Sequence, residues 1–255
     1  MSAYEDLLDA TISHLSIQRE RGQRHVTVTP DKINALFTVV PESNVPLIEE
    51  DTSLDLLCTQ TLACSKCPDL VFSRTQVVFG VGNPKADLMF VGEAPGQDED
   101  RQGEPFVGAA GKLLTKIIET MGLSREEVYI ANILKCRPDT PGRNTGNRAP
   151  TLDEMATCVP WLHRQIDLIQ PRVLVALGKT AAGGLLEKEV AITRLRGQWQ
   201  TYRGIPLMPT FHPAYLLHNQ SLAEKRKIWE DMLAVMDKLE MPINEKQRGF
   251  FLNLN

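Results

Sequence analysis

The stretch Asp87–Leu114, DLMFVGEAPGQDEDRQGEPFVGAAGKLL, decides the fold of this chain. An apolar run, Leu88–Val91, ends at Gly92 and gives way to a loop rich in glycine, proline and acidic residues. An apolar helical pattern begins near Val107. The order is therefore strand, loop and helix, and open α/β sheets bind ligands beyond the carboxyl ends of their strands. Because packing alone does not require four carboxylates in so short a loop, we interpret it as the floor of an active site.

Strands and helices continue to alternate along the rest of the chain. The apolar patterns predict strands at Thr75–Val81, Val128–Leu134, Arg172–Leu177, Trp199–Tyr202 and Leu207–Thr210, and helices at Gly108–Met121, Thr151–Ile169 and Leu222–Leu239. Alternation at this spacing is typical of an α/β fold with a mainly parallel central sheet covered by helices on both faces.

The length and composition of the chain indicate its domain organisation and its cellular location. The chain has 255 residues, and we expect a compact domain at residues 53–241, a partly mobile helix and linker arm at 1–52, and a tail at 242–255. No apolar run is long enough for a membrane span, and the first residues do not resemble a secretion signal. We therefore expect a cytoplasmic monomer that does not bind membranes.

The charge distribution gives one local indication of a polyanionic partner. The net charge of −4 is no global signature of nucleic-acid binding, so such a partner would need a local basic surface. Between residues 135 and 148, four cations stand against Asp139, a local charge of +3; they are Lys135, Arg137, Arg143 and Arg148. Arginines among glycine and asparagine suit phosphate contacts. An ordinary solvated surface loop is the alternative.

The cysteines suggest a metal centre. Cys64 and Cys67 form a C-x2-C pair, while Cys136 follows a predicted strand and Cys158 lies in the next predicted helix. Four thiolates can bind a tetrahedral zinc ion or a [4Fe–4S] cluster. The spacing favours the cluster, because a zinc ribbon usually carries a second C-x2-C pair. Buried thiols that bind nothing are the alternative, and Cys58 is left over as a core residue.

Two further features lie at predicted strand ends. Asn132 is a polar amide within an apolar run, either a structural hydrogen-bonding group or a reader of a ligand edge. His212 follows a strand and precedes a proline, and it could donate a hydrogen bond to a developing anion. The apolar pair Leu216 and Leu217 could either pack in the core or enter a base stack as a wedge.

Taken together, these motifs resemble a known family. The segments GEAPGQDED, GEPFVGAAG, ANILKCRP, GNR and TFHPAYLL, with four cysteines in this order, are similar to family 4 uracil-DNA glycosylases, the iron–sulfur class. The resemblance covers residues 53–239. It implies a three-layer αβα sandwich and a [4Fe–4S] cluster. It also implies an enzyme of base excision repair that flips uracil out of single- or double-stranded DNA and hydrolyses its N-glycosidic bond, leaving an abasic site.

The resemblance also implies roles for individual residues. Cys64, Cys67, Cys136 and Cys158 would bind the cluster. Gly92, Glu93 and Ala94 would line uracil, Phe106 would stack on it, Asn132 would read its edge, and His212 would face O2. From the basic loop and the apolar pair described above, Arg137, Arg148, Leu216 and Leu217 are the candidates for contacting DNA.

The chain departs from the best-known branch of the superfamily at two positions. Ala94 stands where that branch has an aspartate that positions water, and Gly96 stands where it has a tyrosine that excludes the thymine methyl group. Glu93, Glu99 and Asn147 are therefore the candidates for positioning water. Glu99 is alternatively the steric block at uracil C5. The insertion Asp139–Gly146 lengthens the loop before Asn147 and Arg148.

Two other functions remain open at this point. A related protein could bind uracil in DNA and trap it covalently through a histidine-bearing insertion, but the loop at residues 137–148 has no histidine. A metal-stabilised nucleic-acid-binding module without catalysis is the alternative from another functional class.

Overall fold

The computed structural model describes residues 53–139 and 148–252, together with Ile12, Ser16 and Arg19. The chain divides into two units, Met1–Glu50 and Asp51–Asn255. In the first unit the three described residues are helical and exposed, and the rest of the predicted arm lies outside the described residues. The second unit contains the sheet. The predicted domain limits at residues 52 and 241 stay predictions.

Six strands form one sheet in the described ranges. They are β1 (Val81–Gly82), β2 (Leu88–Gly92), β3 (Tyr129–Asn132), β4 (Val173–Leu177), β5 (Gln200–Tyr202) and β6 (Ile205–Thr210). Their order is β1-β3-β2-β4-β6-β5. The four inner strands run parallel, and β1 and β5 pair antiparallel at the edges. The predicted mainly parallel sheet is confirmed.

Helices connect these strands. They are α1 (Leu54–Leu62), α2 (Pro68–Ser73), α3 (Gln97–Gln102), α4 (Ala109–Met121), α5 (Leu152–Ile169), α6 (Lys179–Leu186), α7 (Ile192–Leu195), α8 (Ala214–His218), α9 (Leu222–Lys238) and α10 (Glu245–Gly249). None of the helices in these ranges is long and apolar enough to cross a lipid bilayer.

The inner strands bury both faces, so each contributes to two cores. Met89 and Val91 of β2 point into the core that α5 and α6 cover, while Leu88 and Phe90 point into the core that α4 and α9 cover. Alternate residues of a strand face opposite sides of a sheet. The arrangement is helix layer, sheet and helix layer, which confirms the predicted three-layer αβα sandwich.

Two predicted segments differ from the structure. The strand predicted at Thr75–Val81 is reduced to β1, because Gly80 has a φ of 147° and interrupts the extended chain. Before Gly80, the Val78 N–H donates a hydrogen bond of 2.8 Å to the Lys135 carbonyl. The acidic loop after β2 contains a short helix, α3. Its first turn carries acidic side chains, which favour a helix N-terminus, and Gly103 at φ 79° ends it.

The C-terminal segment is held against the core by its own helix, α10. The Gln247 side chain donates a hydrogen bond of 2.9 Å to the Thr120 carbonyl, and Trp229 Nε1 donates one of 2.6 Å to the Gln247 carbonyl. Phe250 packs against the core of α4 and α9. The sequence pattern of this segment is too short to predict such a contact.

Candidate active site

The carboxyl ends of the parallel strands lie at one edge of the sheet, and two of them define the centre of the site. Gly92 of β2 lies directly opposite Asn132 of β3. A Cβ atom at Gly92 would overlap Asn132 Oδ1 and would lie 2.5 Å from Phe106 Cζ. Glycine is therefore required at this position by close approach, and an amide and an aromatic ring meet above it.

Phe106 lies against Gly92 and has an unusual backbone conformation. Its φ is 55°, a left-handed value that costs a bulky residue about 1–3 kcal/mol and that occurs preferentially at functional sites. The side chain is buried, and its ring centroid lies 5.6 Å from that of His212 with the planes inclined by 30°. The structure thus brings Phe106 and Asn132 together at Gly92, and His212 lies beside Phe106.

The Asn132 side chain has an unused hydrogen-bond acceptor. The residue is 2% exposed, and its Oδ1 has no hydrogen-bond partner in the part of the chain that the structure describes. Leaving such a buried acceptor unpaired costs about 1–3 kcal/mol. An unsatisfied amide oxygen beside an aromatic ring indicates a site for a planar ligand with an N–H group.

His212 is held in one tautomer. Its Nδ1 accepts a hydrogen bond of 3.1 Å from the main-chain N–H of Ala214. Burial lowers the pKa of His212 to about 4, while the Glu99 carboxylate opposes this shift. The imidazole is therefore neutral at pH 7, and since Nδ1 accepts, the proton lies on Nε2. The side chain can donate a hydrogen bond through Nε2–H without carrying a charge.

The Glu99 carboxylate organises the loop that carries Phe106. One oxygen accepts hydrogen bonds from the main-chain N–H groups of Val107 and Gly108, at 3.0 and 2.9 Å. The other accepts one of 3.1 Å from Gly96. Because both oxygens bind backbone donors, the structure favours a fixed structural role over a role in positioning water.

The other candidates for positioning water differ from Glu99. Glu93 and Ala94 follow β2 and are half-buried, and the Glu93 main-chain oxygen accepts a bond of 3.0 Å from Leu134 N–H. Within residues 53–139 and 148–252, the Glu93 carboxylate has no hydrogen-bond or ion-pair partner. Asn147 lies outside the described residues, so its predicted role has no structural context.

The four predicted cysteine ligands line one cavity. Cys64, Cys67, Cys136 and Cys158 surround it together with Arg74, Lys135, Trp161 and apolar side chains. Arg74 Nη1 lies 3.0 Å from Cys136 Sγ, and the Lys135 main-chain N–H lies 3.2 Å from Cys158 Sγ. Burial raises the pKa of Cys158 to about 11 and raises that of Cys136 as well. Cys58 is half-buried and does not line this cavity.

The sulfur atoms surround a space and do not converge on a single point. Among the described residues, no three His, Cys, Asp or Glu side chains are grouped closely enough to hold one metal ion. Four thiol side chains nevertheless line the cavity, and N–H groups are directed at two of the sulfurs.

Comparison with known proteins identifies the family of this chain. The family model of the uracil DNA glycosylase superfamily matches residues 79–233, which include the strand ends, Phe106 and His212. This chain belongs to the uracil DNA glycosylase superfamily. The match spans more than half of the chain and contains all six strands of the sheet.

Individual members of the superfamily are similar over most of their length. The type-4 uracil-DNA glycosylase of Sulfurisphaera tokodaii is 44% identical over 209 residues, covering 78% of this chain and 90% of that protein. The type-4 enzyme of Thermotoga maritima is 44% identical over 183 residues, covering 70% and 91%. A type-5 uracil-DNA glycosylase of Pyrobaculum aerophilum is 29% identical over 185 residues, covering 60% and 79%.

The two arginines predicted to contact DNA have acidic partners in this superfamily member. Arg137 lies 3.2 Å from Asp139, and Arg148 makes a bidentate pair with Glu154 at 2.5 and 2.8 Å. The hydrogen bond from Arg148 is the main cause that lowers the pKa of Glu154. Both arginines are therefore paired with carboxylates, and a phosphate would have to share the arginines or displace those carboxylates.

The two leucines of the glycosylase motif TFHPAYLL differ in exposure. Leu216 is 7% exposed and packs with Phe211 and Ile228 in a small cluster. Leu217 is 38% exposed. Only Leu217 is therefore available as a wedge in this conformation, while Leu216 is a core residue.

Lys135, which the charge pattern places in a basic surface loop, is buried, so that prediction is wrong. The residue is 1% exposed, and its Nζ donates hydrogen bonds to the Asn132 main-chain oxygen, at 2.9 Å, and to Gln165 Oε1. Burial lowers the pKa of Lys135 to about 7, and Cys158 opposes the shift. Its place in the apolar run before Cys136 was the signal that it would be buried.

An ion pair at the end of β6 is not evident from the sequence. Asp231 of α9 is 1% exposed and accepts hydrogen bonds from Thr210 Oγ1 at 2.6 Å and from Arg196 Nε at 3.0 Å. Thr210 is the last residue of β6, two residues before His212. The pair therefore fixes the strand end from which the His212 loop departs. Nothing in the local pattern distinguishes Asp231 from a solvent-exposed helix residue.

Proposed function

We propose that this protein is a monofunctional uracil-DNA glycosylase of base excision repair. It extrudes uracil from DNA and hydrolyses the bond between uracil N1 and deoxyribose C1′, leaving an abasic site. The observation that supports this most strongly is that Phe106 and Asn132 meet at Gly92 and that His212 lies beside Phe106, while the Asn132 amide oxygen has no partner among the described residues. The relatives named above carry the same activity in their names.

Recognition of the base follows from the chemistry of the three side chains. Phe106 stacks on the ring, an interaction worth about 1–3 kcal/mol per base. Asn132 Oδ1 accepts a hydrogen bond from uracil N3–H, and its amide N–H donates to O4. Cytosine presents the reverse pattern of donor and acceptor, which would leave the buried amide mismatched. Gly92 and Ala94 line the base, and the absent Cβ of Gly92 permits close approach.

The bond cleavage step places negative charge on the leaving base. As the C1′–N1 bond breaks, its electron pair moves into the uracil ring and the sugar becomes oxocarbenium-like. Neutral His212 donates Nε2–H to O2, where charge accumulates; loss of one such donor costs about 3–4 kcal/mol of barrier in other enzymes. Water then adds to C1′ and loses a proton, which completes the hydrolysis.

We assign the positioning of this water to Glu93. Its carboxylate follows β2 at the edge of the pocket and, in the described residues, is not committed to another group. Glu99 has both oxygens bound to backbone N–H groups. It remains the candidate for excluding the thymine methyl group, since a rigidly held carboxylate near His212 would resist displacement.

The cysteine cavity supports a [4Fe–4S] cluster as the cofactor. Cys64, Cys67, Cys136 and Cys158 would hold it, since all four line one cavity and cysteine thiolates are the usual ligands of such a cluster. The cluster would supply a structural cross-link and take no part in glycosidic cleavage. It would join the segment before α2 to α5 and to the segment that follows β3.

The DNA-facing surface would use one apolar and two basic side chains. Leu217 would fill the space of the extruded base, and Arg137 and Arg148 would contact phosphates near their acidic partners. A monomeric state and a cytoplasmic location stay predictions.

Turnover distinguishes this function from covalent trapping and from simple binding. Uracil-containing DNA incubated with the protein should give free uracil and an abasic product, with no shifted protein band on a denaturing gel. His212→Asn should lose most of this activity and still bind DNA. His163→Asn is the matched control, because His163 contacts Tyr202 and Arg203. A shifted band, or binding without any product, would contradict the proposal.

A further inference from the structure

The backbone around Phe106 is held from two sides. On the carbonyl side, Arg125 donates hydrogen bonds to the main-chain oxygens of Pro105 and Phe106, at 2.9 and 3.1 Å. On the amide side, the Glu99 carboxylate accepts from the N–H groups of the two residues that follow Phe106. Arg125 thus binds the peptide carbonyls before and after the Phe106 Cα, and Glu99 binds N–H groups after it. Phe106 itself has a φ of 55°, which an aromatic residue rarely adopts.

The Arg125 side chain also contacts a helix. Its guanidinium also donates to Thr115 Oγ1 of α4 at 3.3 Å, so it ties the Phe106 loop to that helix. The helix approaches closely, because a Cβ atom at Gly111 would overlap the Phe106 carbonyl. Among the described residues, the acceptors of Arg125 are neutral oxygens, and burial lowers its pKa from the usual value. A half-buried guanidinium bound to carbonyl groups holds backbone geometry, since its planar donors have a fixed spacing.

We propose that Arg125 is a positioning residue for uracil excision, which fixes the plane of the Phe106 ring by holding the carbonyl groups of Pro105 and Phe106. The inference rests on the proposed function, in which Phe106 stacks on the extruded base. Arg125 does not touch the base; it acts through Phe106. Glu99 holds the N–H groups of the two residues after Phe106, which explains why its carboxylate accepts hydrogen bonds from three backbone donors.

A double-mutant cycle tests this role. The variants are Arg125→Met, Phe106→Leu and the double variant, with kcat and KM measured on a single-stranded uracil oligonucleotide. We expect Arg125→Met to lower kcat/KM between about fivefold and a hundredfold, the range for losing one base–aromatic stack. The loss should lie chiefly in KM, because stacking acts before and during cleavage. In the Phe106→Leu background, Arg125→Met should cost less than about twofold more.

Two controls separate positioning from charge and from folding. Arg101→Met removes the same charge from an exposed arginine whose side-chain partner is Asp98, and it should leave uracil release unchanged. Arg125→Lys keeps the charge and can reach only one of the two carbonyls, so it should lose less activity than Arg125→Met. If Arg125→Met does not unfold cooperatively, the same cycle is run with Arg125→Lys.

Each outcome decides one claim. Losses that multiply in the double variant, or no loss in Arg125→Met, would overturn the positioning role. If Phe106→Leu alone has full activity, then the stacking role in the proposed function fails. This result concerns Phe106 alone and is therefore distinguishable from a failure of the role of Arg125. Non-additive losses with an active Arg101→Met control would establish the role.

Discussion

The side-chain nitrogen of Lys135 lies 2.9 Å from the main-chain oxygen of Asn132, while the side-chain oxygen of the same asparagine has no partner among the described residues. The backbone of Asn132 is therefore fixed, and its amide remains available to a ligand. A protein that leaves a buried acceptor unpaired sacrifices stability for binding.

Replacing Asn132 by leucine should separate stability from function. Leucine has a similar volume and removes the unpaired acceptor, so we expect a free energy of unfolding equal to that of the wild type or higher by up to about 1–3 kcal/mol. Uracil release should fall at least about a hundredfold, because the base edge loses its hydrogen bonds. Urea unfolding and single-turnover release check both parts. An active or strongly destabilised variant would show that the amide is a structural group.

The depressed pKa of His212 predicts a specific pH dependence. Its folded-state pKa of about 4 lies below the ordinary value of 6.5, so protonation favours the unfolded state. The stability that neutral His212 contributes is complete above pH 6.5 and is lost as the pH falls from 6.5 through about 4. The stability difference between wild type and His212→Asn should therefore change across this window. Urea unfolding at several pH values measures it, and parallel curves would disprove the shift.

Much of the architecture was predictable because it depends on local patterns. The limits of α4 follow from its apolar periodicity and from Gly122, whose φ of 89° ends the helix. The convergence of Asn132 and His212 follows from strand ends meeting at one edge of a parallel sheet. The partners of Glu99, Lys135 and Arg125 could not be predicted, since each depends on contacts between segments whose exact approach only the packed structure defines.

The cysteine cavity predicts a metal content that distinguishes a cluster from a zinc ion. We expect about four iron and about four acid-labile sulfide per chain, as a [4Fe–4S] cluster requires. Cys158→Ser should lose this content, whereas Cys58→Ser should keep it, because Cys58 does not line the cavity. Iron, sulfide and zinc analysis of protein purified without oxygen makes the measurement. About one zinc per chain would refute the cluster assignment.

The buried Asp231 should be essential to the stability of the sheet edge. Asp231→Ala leaves the Arg196 guanidinium, with a side chain 16% exposed, without its carboxylate, which costs about 3–5 kcal/mol in comparable pairs. Asp167→Ala is the control, since its pair with Arg203 is about half exposed and should contribute less than about 1 kcal/mol. Urea unfolding compares the two. Equal losses of unfolding free energy in the two variants would mean that the buried pair contributes no more to stability than the exposed one.

The two leucines after His212 should respond differently to truncation. Leu216→Ala should destabilise the fold by about 2–5 kcal/mol, because it leaves a cavity in a packed cluster. Leu217→Ala should leave stability nearly unchanged and should lower uracil release from duplex DNA more than from single strands, where no stack must be opened. The ratio of kcat/KM on the two substrates is the measurement. An unchanged ratio for Leu217→Ala would exclude the wedge role.

The most direct test of the central claim is base release under single-turnover conditions from three single-stranded oligonucleotides that differ only in one base: uracil, cytosine or thymine. The pocket described here predicts that free uracil is released at least about a thousandfold faster than the other bases, since a mismatched buried amide and a blocked methyl group both act against them. Release of none of the bases, or of all three at similar rates, would contradict the assignment of Phe106, Asn132 and His212 to a uracil site.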